Sequence, residues 1–477
     1  MKHLLFSLMI MLLFTHNKLH SQDTSSEIVF STYLGNIGDD DADVVTVDAN
    51  GNTYLGCHSN SANLNLPEEK QYNLKDGIDA FVVKLNGNGT KVDYITQLGG
   101  SQWDAVQGLI SDSQGNIYAV GTTYSADFPI YTNGFQSKFG GMSDAFVLKL
   151  NAQGNVMWST FLGGSKNEDG RGIALDQQGN VHIVGRTESN DFPILPGALQ
   201  PKSAGEIDTF FATLNSEGKM MTTSYLGGSG NDIGFSIDID NKGRRYIAGT
   251  TNSSDFPLYN SIQEIKHGKD DIFFTVIDAT GSTLEYSSYL GGDENEQLYG
   301  LALGPNENVF LTGITNSSDF PTTPNGYQPT HSGESDVFVS KFNLQEKRMI
   351  YSTFLGGEGN DSSRDLIIDD EGNAFIVGKT TSTNFPIVNN SHSMLRGRTD
   401  AFITLLDSSG SFLIYSTIFG GQGMETFEGV ALGNDGSLTV SGLSSSLDYP
   451  TVNPIQDSFL GGRFDMVATR LIIPKQE

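Results

Sequence analysis

The chain is poor in several things at once, and each shortage removes a class of function. It has one cysteine, Cys57, in 477 residues. That excludes an intramolecular disulfide and any CxxC metal or redox site. Basic residues are scarce, 28 against 56 acidic, so the formal charge is −28 at pH 7. A surface this acidic repels nucleic acid and anionic headgroups, and neither is expected as a partner. Beyond the N-terminus no apolar run is long enough to cross a bilayer, so no membrane insertion is expected. His-Glu-x-x-His and Gly-x-Ser-x-Gly are both missing. Two tryptophans and 14 prolines complete the list, whereas glycine is plentiful at 56. Such a composition suits a turn-rich all-β protein.

The N-terminus reads as an export signal over residues 1–21. Lys2 and His3 precede the short apolar run Leu4–Phe14, and a polar stretch follows to Ser21. Cleavage there removes Lys2 and Lys18, leaving a mature chain of charge about −30 over residues 22–477. Cys57 lies too far on to be a lipidated first residue. The expected location is therefore the periplasm, the cell surface or the medium.

What the chain has in abundance is itself. Ser31-Thr-Tyr-Leu-Gly35 returns as Ser159-Thr-Phe-Leu-Gly-Gly164 and in five further copies. The copies start at 31, 95, 159, 223, 287, 352 and 416, which is 64 or 65 residues apart. Each unit carries four strand signals. In the second these are Ala105–Ser111, Ile117–Gly121, Asp144–Leu150 and Val156–Leu162. Turns such as Asp112-Ser-Gln-Gly115 join them, the Asp accepting backbone N–H groups and the Gly supplying positive φ. Four short antiparallel strands per repeat make a propeller blade. The two ends decide between a ring and an open stack. The last unit stops after its third strand, while Glu27–Leu34 carries a fourth-strand sequence with no unit before it. Joined, they complete one blade; left open, they are two unpaired edges. The expected fold is thus an all-β, seven-bladed β-propeller, closed by an N-terminal strand that completes the last blade.

These units resemble the seven-bladed β-propeller repeat of bacterial extracellular proteins. The resemblance rests on the strand 159–164, the Asp-x-x-Gly-Asn turn 176–180, the Thr-x-Ser-x-Asp-Phe-Pro loop 187–193 and Asp208-Thr-Phe210. It implies fold and export and carries no activity. The first unit departs from the pattern, with Cys57 where others have Gly121 or Gly185.

Two faces follow from the connectivity. The tight hairpins share one; the long second-to-third connections and the Leu-Gly-Gly links share the other. The long connection is expected to fold locally, its Ser and Asp capping backbone N–H groups and its Phe docking on a neighbouring blade. Once per unit this face gains a carboxylate four residues after the second Gly: Asp40, Asp104, Glu168, Asp232, Glu296, Asp361 and Glu425. A second set opens each third strand: Asp79, Asp144, Asp208, Asp271, Asp336, Asp400 and Asp465. Two readings stand for the first set: clasps on loop N–H groups, or an acidic mouth that binds a cation or a basic partner. Asp39, Asp41 and Asp43 form a local run whose alternation suits calcium, or else a solvated acidic loop. Five histidines follow the signal: His58, His182, His267, His331 and His392. His267 and His331, 64 residues apart, are candidates to face each other. The function expected is a non-catalytic binding or scaffold module, monomeric, that takes a protein or glycan on the long-loop face without a cofactor. A propeller glycan hydrolase or lyase, with acids at the channel mouth, is the alternative. Non-repeating polar residues clustered at the channel would favour that alternative, and only blade one and the His267/His331 pair are expected to break the repeat.

Overall fold

A computed structural model of the chain describes residues 26–61, 64, 77–131, 134–388 and 394–473. The expected signal segment and His392 lie outside them. The described chain forms seven four-stranded antiparallel sheets arranged as a ring. Blade one runs from Asp40–Val47 through Thr53–Ser59 and Asp79–Leu85 to Val92–Leu98. Blades two to six repeat that order from Asp104, Glu168, Asp232, Glu296 and Asp361. Blade seven takes three strands from the C-terminal part (Glu425–Leu432, Leu438–Ser444, Asp465–Ile472) and its outer strand, Glu27–Leu34, from the start. The closing pair is antiparallel, from Glu27 opposite Ile472 to Leu34 opposite Met466.

The middle strands are buried along almost their whole length because both sheet faces are covered by neighbouring blades. The third strand, as in Asp144–Leu150, is almost wholly buried. One apolar layer fills each gap. Between blades one and two it includes Tyr54, Val82, Leu109, Phe146 and Phe161. At the hairpin face, Asp112 Oδ1 accepts the N–H groups of Gln114 and Asn116 at 2.9 Å, and Gly115 takes φ +77°. The same Asp turn returns at Asp48 and Asp176. The innermost strand of each blade faces the axis and carries a β-bulge just below its long-loop end. A bulge re-aims one side chain, here into the channel.

The long connections do fold locally. Ser125 Oγ accepts from Gln102 N and Asp127 Oδ1 from Ser101 N, both at 2.8 Å, so the segment fastens the link that precedes its own blade. The aromatic stacks on its own blade, inside the apolar layer that this blade shares with the preceding one. Phe128 stacks on Phe146 of its own third strand, with centroids 4.6 Å apart, and Phe192, Phe256, Phe320 and Phe385 repeat this on Phe210, Phe273, Phe338 and Phe402. After Pro the chain has turned back over its own sheet, which puts that ring in reach first.

Candidate functional site

The seven carboxylates of the first set do not line a mouth. All are 0 or 1% exposed. In blades two to seven each accepts the N–H of the second link glycine, from Gly164 N to Glu168 Oε2 at 2.7 Å through Gly292 N to Glu296 at 3.0 Å. Asp40 takes the N–H of Asn36 at 2.9 Å in the same role. Hydroxyls from the end of the second strand and the loop after it add to this: Ser125 on Asp104, Thr187 on Glu168 and Ser444 on Glu425. Desolvation pushes these acids up, Asp104 and Asp232 to about 6. A buried acid engaged in this way faces no ligand, so of the two readings the acidic binding ring gives way to a set of inter-blade clasps.

The second set lies beside the first. Asp144, Asp208, Asp271, Asp336, Asp400 and Asp465 each accept an N–H from the end of their own long loop at 2.6–2.9 Å, and Asp144, Asp208 and Asp400 a second at 3.0–3.4 Å. The first link glycine is wedged between the two sets. A Cβ on Gly291 would sit 2.6 Å from Glu296 Oε2 and 2.7 Å from Asp271 Cγ; on Gly163, 2.4 Å from Asp144 Oδ1 and 2.7 Å from Glu168 Oε2. Two buried carboxyls thus share each junction across one glycine. Desolvation and the neighbouring acid raise Asp144 to about 6, and Asp271 and Asp465 to about 7.

The residues that do face open space stand one layer further in, at the bulges. Asp43, Gln107, Arg171, Phe235, Tyr299, Arg364 and Glu428 take equivalent places in blades one to seven, and all line a cavity of about 310 Å³ on the axis. Unlike the frame around them they do not repeat. The cross-strand pairs just above are equally varied: Asp41 with His58, Ala105 with Thr122, Asp169 with Arg186, Ile233 with Thr250, Gln297 with Ile314, Ser362 with Lys379, and Thr426 with Leu443. This collar sits at the long-loop end of the channel. It was missed because no single unit contains a motif there; laying the units over one another at the 64-residue period exposes it.

The collar has two poles. Arg171 lies over Phe235 and Arg364 over Tyr299, each 4.6 Å from the ring centroid, with the two rings 6.2 Å apart. The Nε atoms of both arginines are buried without a hydrogen bond, although Arg364 Nε lies 3.3 Å from Glu428. Asp169 receives Arg186 at 2.5 Å and Arg171 at 3.5 Å. Opposite stand Asp41, Asp43 and His58, whose potential ligand atoms all lie within 4.8 Å of one another. His58 Nδ1 is 2.7 Å from Asp43 Oδ2. Desolvation would lower its pKa, but Asp43, Asp41 and Asp40 outweigh that and lift it to about 9. Desolvation, then Asp43, raises Asp41 well above the usual carboxylate range. Beside His58 runs an aromatic edge, Trp103 at 5.9 Å and Tyr124 at 5.8 Å from Trp103.

Blade one owes this pole to its departure from the repeat. Elsewhere a glycine faces the bulge because a side chain would collide: a Cβ on Gly185 would sit 1.9 Å from the Asp169 carbonyl. With Cys57 there, the ladder steps from Asp41 opposite His58 to Val44 opposite Gly56, so Ala42 and Asp43 stand against Cys57 and the pair that Gly170 and Gly185 make in blade three is lost. The wider bulge turns Asp43 towards His58. Of the expected acidic run, Asp41 and Asp43 come together and Asp39 leaves. Asp39 instead meets the Arg463 guanidinium and backbone N–H across the ring closure, at 2.8 and 2.7 Å. Nor do His267 and His331 face each other. His267 lies 3.4 Å from Asp293, while His331 sits edge-on to Phe354. His182 is buried between Asp176 and Thr213.

Four of the seven units match the family model of the β-propeller repeat, over residues 93–129, 158–193, 223–257 and 350–386. Regulatory protein FlaEY of Caulobacter vibrioides is 21% identical over 375 residues, which cover 75% of this chain and 38% of that protein. The chain therefore spans less than half of that relative's length. Among solved structures, the Neurospora crassa Pan2 WD40 domain covers 95% of this chain and 98% of its own, at 10% identity and TM-score 0.46. A Dyadobacter fermentans protein of unknown function covers 94% and 100%, at 12% identity and TM-score 0.43.

Proposed function

We propose that this chain of β-propeller repeats is an exported, monomeric, non-catalytic binding module that holds the end of a glycan in the collar at its channel mouth. The observation that carries the reading is the contrast between frame and collar. Positions that hold the ring together recur in every blade, while those facing the axial cavity differ from blade to blade. A site for one asymmetric ligand needs that difference; a purely structural channel does not. The chemistry suits a saccharide. About 310 Å³ is room for one or two sugar rings, Trp103 and Tyr124 offer flat apolar faces at the rim, and the flanking Arg and Asp groups are charged partners for hydroxyls and acidic substituents. The same non-repeating acids keep a glycan hydrolase or lyase as the second reading.

The test is a glycan array probed with chain 22–477, followed by calorimetry on the best binder and a search for cleaved product. Arg171→Met and Trp103→Ala should each weaken binding at least tenfold while leaving the melting temperature within a few degrees. Equal affinity in both variants, or binding only to a protein partner, would remove the glycan reading; cleaved product would favour the enzyme. N-terminal sequencing of envelope protein should find Gln22 first, and intact Met1 on cytoplasmic protein would end the export proposal.

A further inference from the structure

We infer that Asp41, Asp43 and His58 form a site for a first-row divalent cation of the zinc type, at the rim of the channel. The three side chains converge from two strands. Asp41 and His58 are directly opposed in the ladder, and the widened bulge at Cys57 swings Asp43 into the same space. One ligand atom from each lies within 4.8 Å of the others, close to the roughly 3.4 Å separation that a tetrahedral ion with bonds near 2.1 Å imposes. A modest inward rotation of the side chains closes that difference.

A second observation points the same way. Asp41 Oδ1 is buried and makes no hydrogen bond among the described residues. Its charged surroundings are Asp43, Glu428, His58 and Arg364. Two carboxylates and a nearby third face one imidazole and one guanidinium, and that guanidinium is already engaged with Glu428. A bound dication supplies both the missing partner and the missing charge. The other six blades offer nothing comparable: the equivalent trios include Ala105, Gln107 and Thr122, or Ile233, Phe235 and Thr250.

The donor set selects the ion. Calcium takes six to eight oxygens and rarely accepts imidazole, whereas two carboxylates and one nitrogen match zinc, with manganese next. Three protein ligands leave a coordination position, and Asp43 borders the axial cavity, so that position opens towards the channel. To bind, the ion takes the place of the hydrogen bond between His58 Nδ1 and Asp43 Oδ2. This site stands whatever ligand the channel takes.

The experiment uses metal-stripped chain 22–477 at pH 8, titrated with zinc chloride by calorimetry and followed by thermal melting. Calcium and manganese are run in parallel. One zinc per chain is expected, together with a saturable rise in melting temperature that 1 mM calcium does not reproduce. His58→Gln and Asp43→Asn should each lower zinc affinity at least tenfold. Asp41→Asn serves as the third variant should either of those fail to fold by circular dichroism. Zinc binding that persists unchanged in the folded variants, no zinc bound at 100 µM, or saturable calcium stabilisation lost in Asp41→Asn would each overturn the assignment.

Discussion

Replacing Asp271 by asparagine should stabilise the ring strongly at pH 8 and less than half as much at pH 5. Asp271 is fully buried, and its Oδ2 accepts the His267 N–H at 2.9 Å, while its Oδ1 has no hydrogen bond. Burial, with Glu296 across the glycine, outweighs the attraction of Lys266 and His267 and lifts its pKa from 3.8 to about 7. A carboxyl raised in the folded state binds more protons there than in the unfolded chain between those two values. Stability therefore falls as pH rises through that window, and the cost is complete above pH 7 and absent below pH 3.8. About three pKa units correspond to about 4 kcal/mol at pH 8. Asparagine keeps the shape, still accepts from His267, and turns its NH₂ towards Glu296 in place of the unpaired oxygen. For a ring this long that unfolds as one unit, roughly 1 kcal/mol moves the melting temperature by one degree. Differential scanning calorimetry should show Asp271→Asn melting about 3–4 °C above the parent at pH 8 and about 1–2 °C above it at pH 5. The parent itself should melt higher at pH 5 than at pH 8, since Asp104, Asp144 and Asp232, at about 6, and Asp465, at about 7, titrate in the same direction. An identical shift at both pH values would refute the reasoning, as would a loss of stability confined to pH 8.

Two further outcomes test the ring. Deleting residues 27–34 removes the buried Phe30, Tyr33 and Leu34 and bares the edge of Asp465–Ile472, so size-exclusion chromatography should show aggregation. Ser26→Ala, which loses only a hydroxyl contact with Tyr415, should elute as the parent does. Gly185→Ala places a methyl 1.9 Å from the Asp169 carbonyl, so blade three must open its bulge as blade one does. A loss of about 1–3 kcal/mol is expected in urea unfolding, and a neutral result would show that the bulge yields freely.

The ring was legible because its determinants repeat. The Leu-Gly-Gly link and the Asp turn each return in five of the seven units, and the split last blade shows at both ends of the chain. The same redundancy left the acids open to two readings. Recurrence made Asp40 and its six equivalents conspicuous, and a group required by every junction is conspicuous for that reason, buried though it is. The collar is the opposite case. Arg171, Phe235, Tyr299 and Arg364 are ordinary residues within their own units and become a site only when the ring brings them to one axis. Asp39 and Asp43 illustrate the remaining limit. Alternation along a strand puts both on one side, but the bulge opposite Cys57 and an arginine 424 positions away separate them. The destination of Phe128 likewise depended on how tightly its loop turns back after the strand, which Asp-Phe-Pro alone does not specify.

The split blade also determines how the molecule can be held. Glu27 and Ile472 are opposite each other in the closing pair, at the end of the blade where the tight hairpins lie. Chain that continues from either terminus leaves from that side, while the collar opens on the other. A leash, a further domain or an engineered fusion at either end thus grips the disc from behind and leaves its mouth pointing away from the attachment. Two attachments would emerge side by side, so the propeller can be spliced into a longer polypeptide as a bud on a stem, with its recess presented outward.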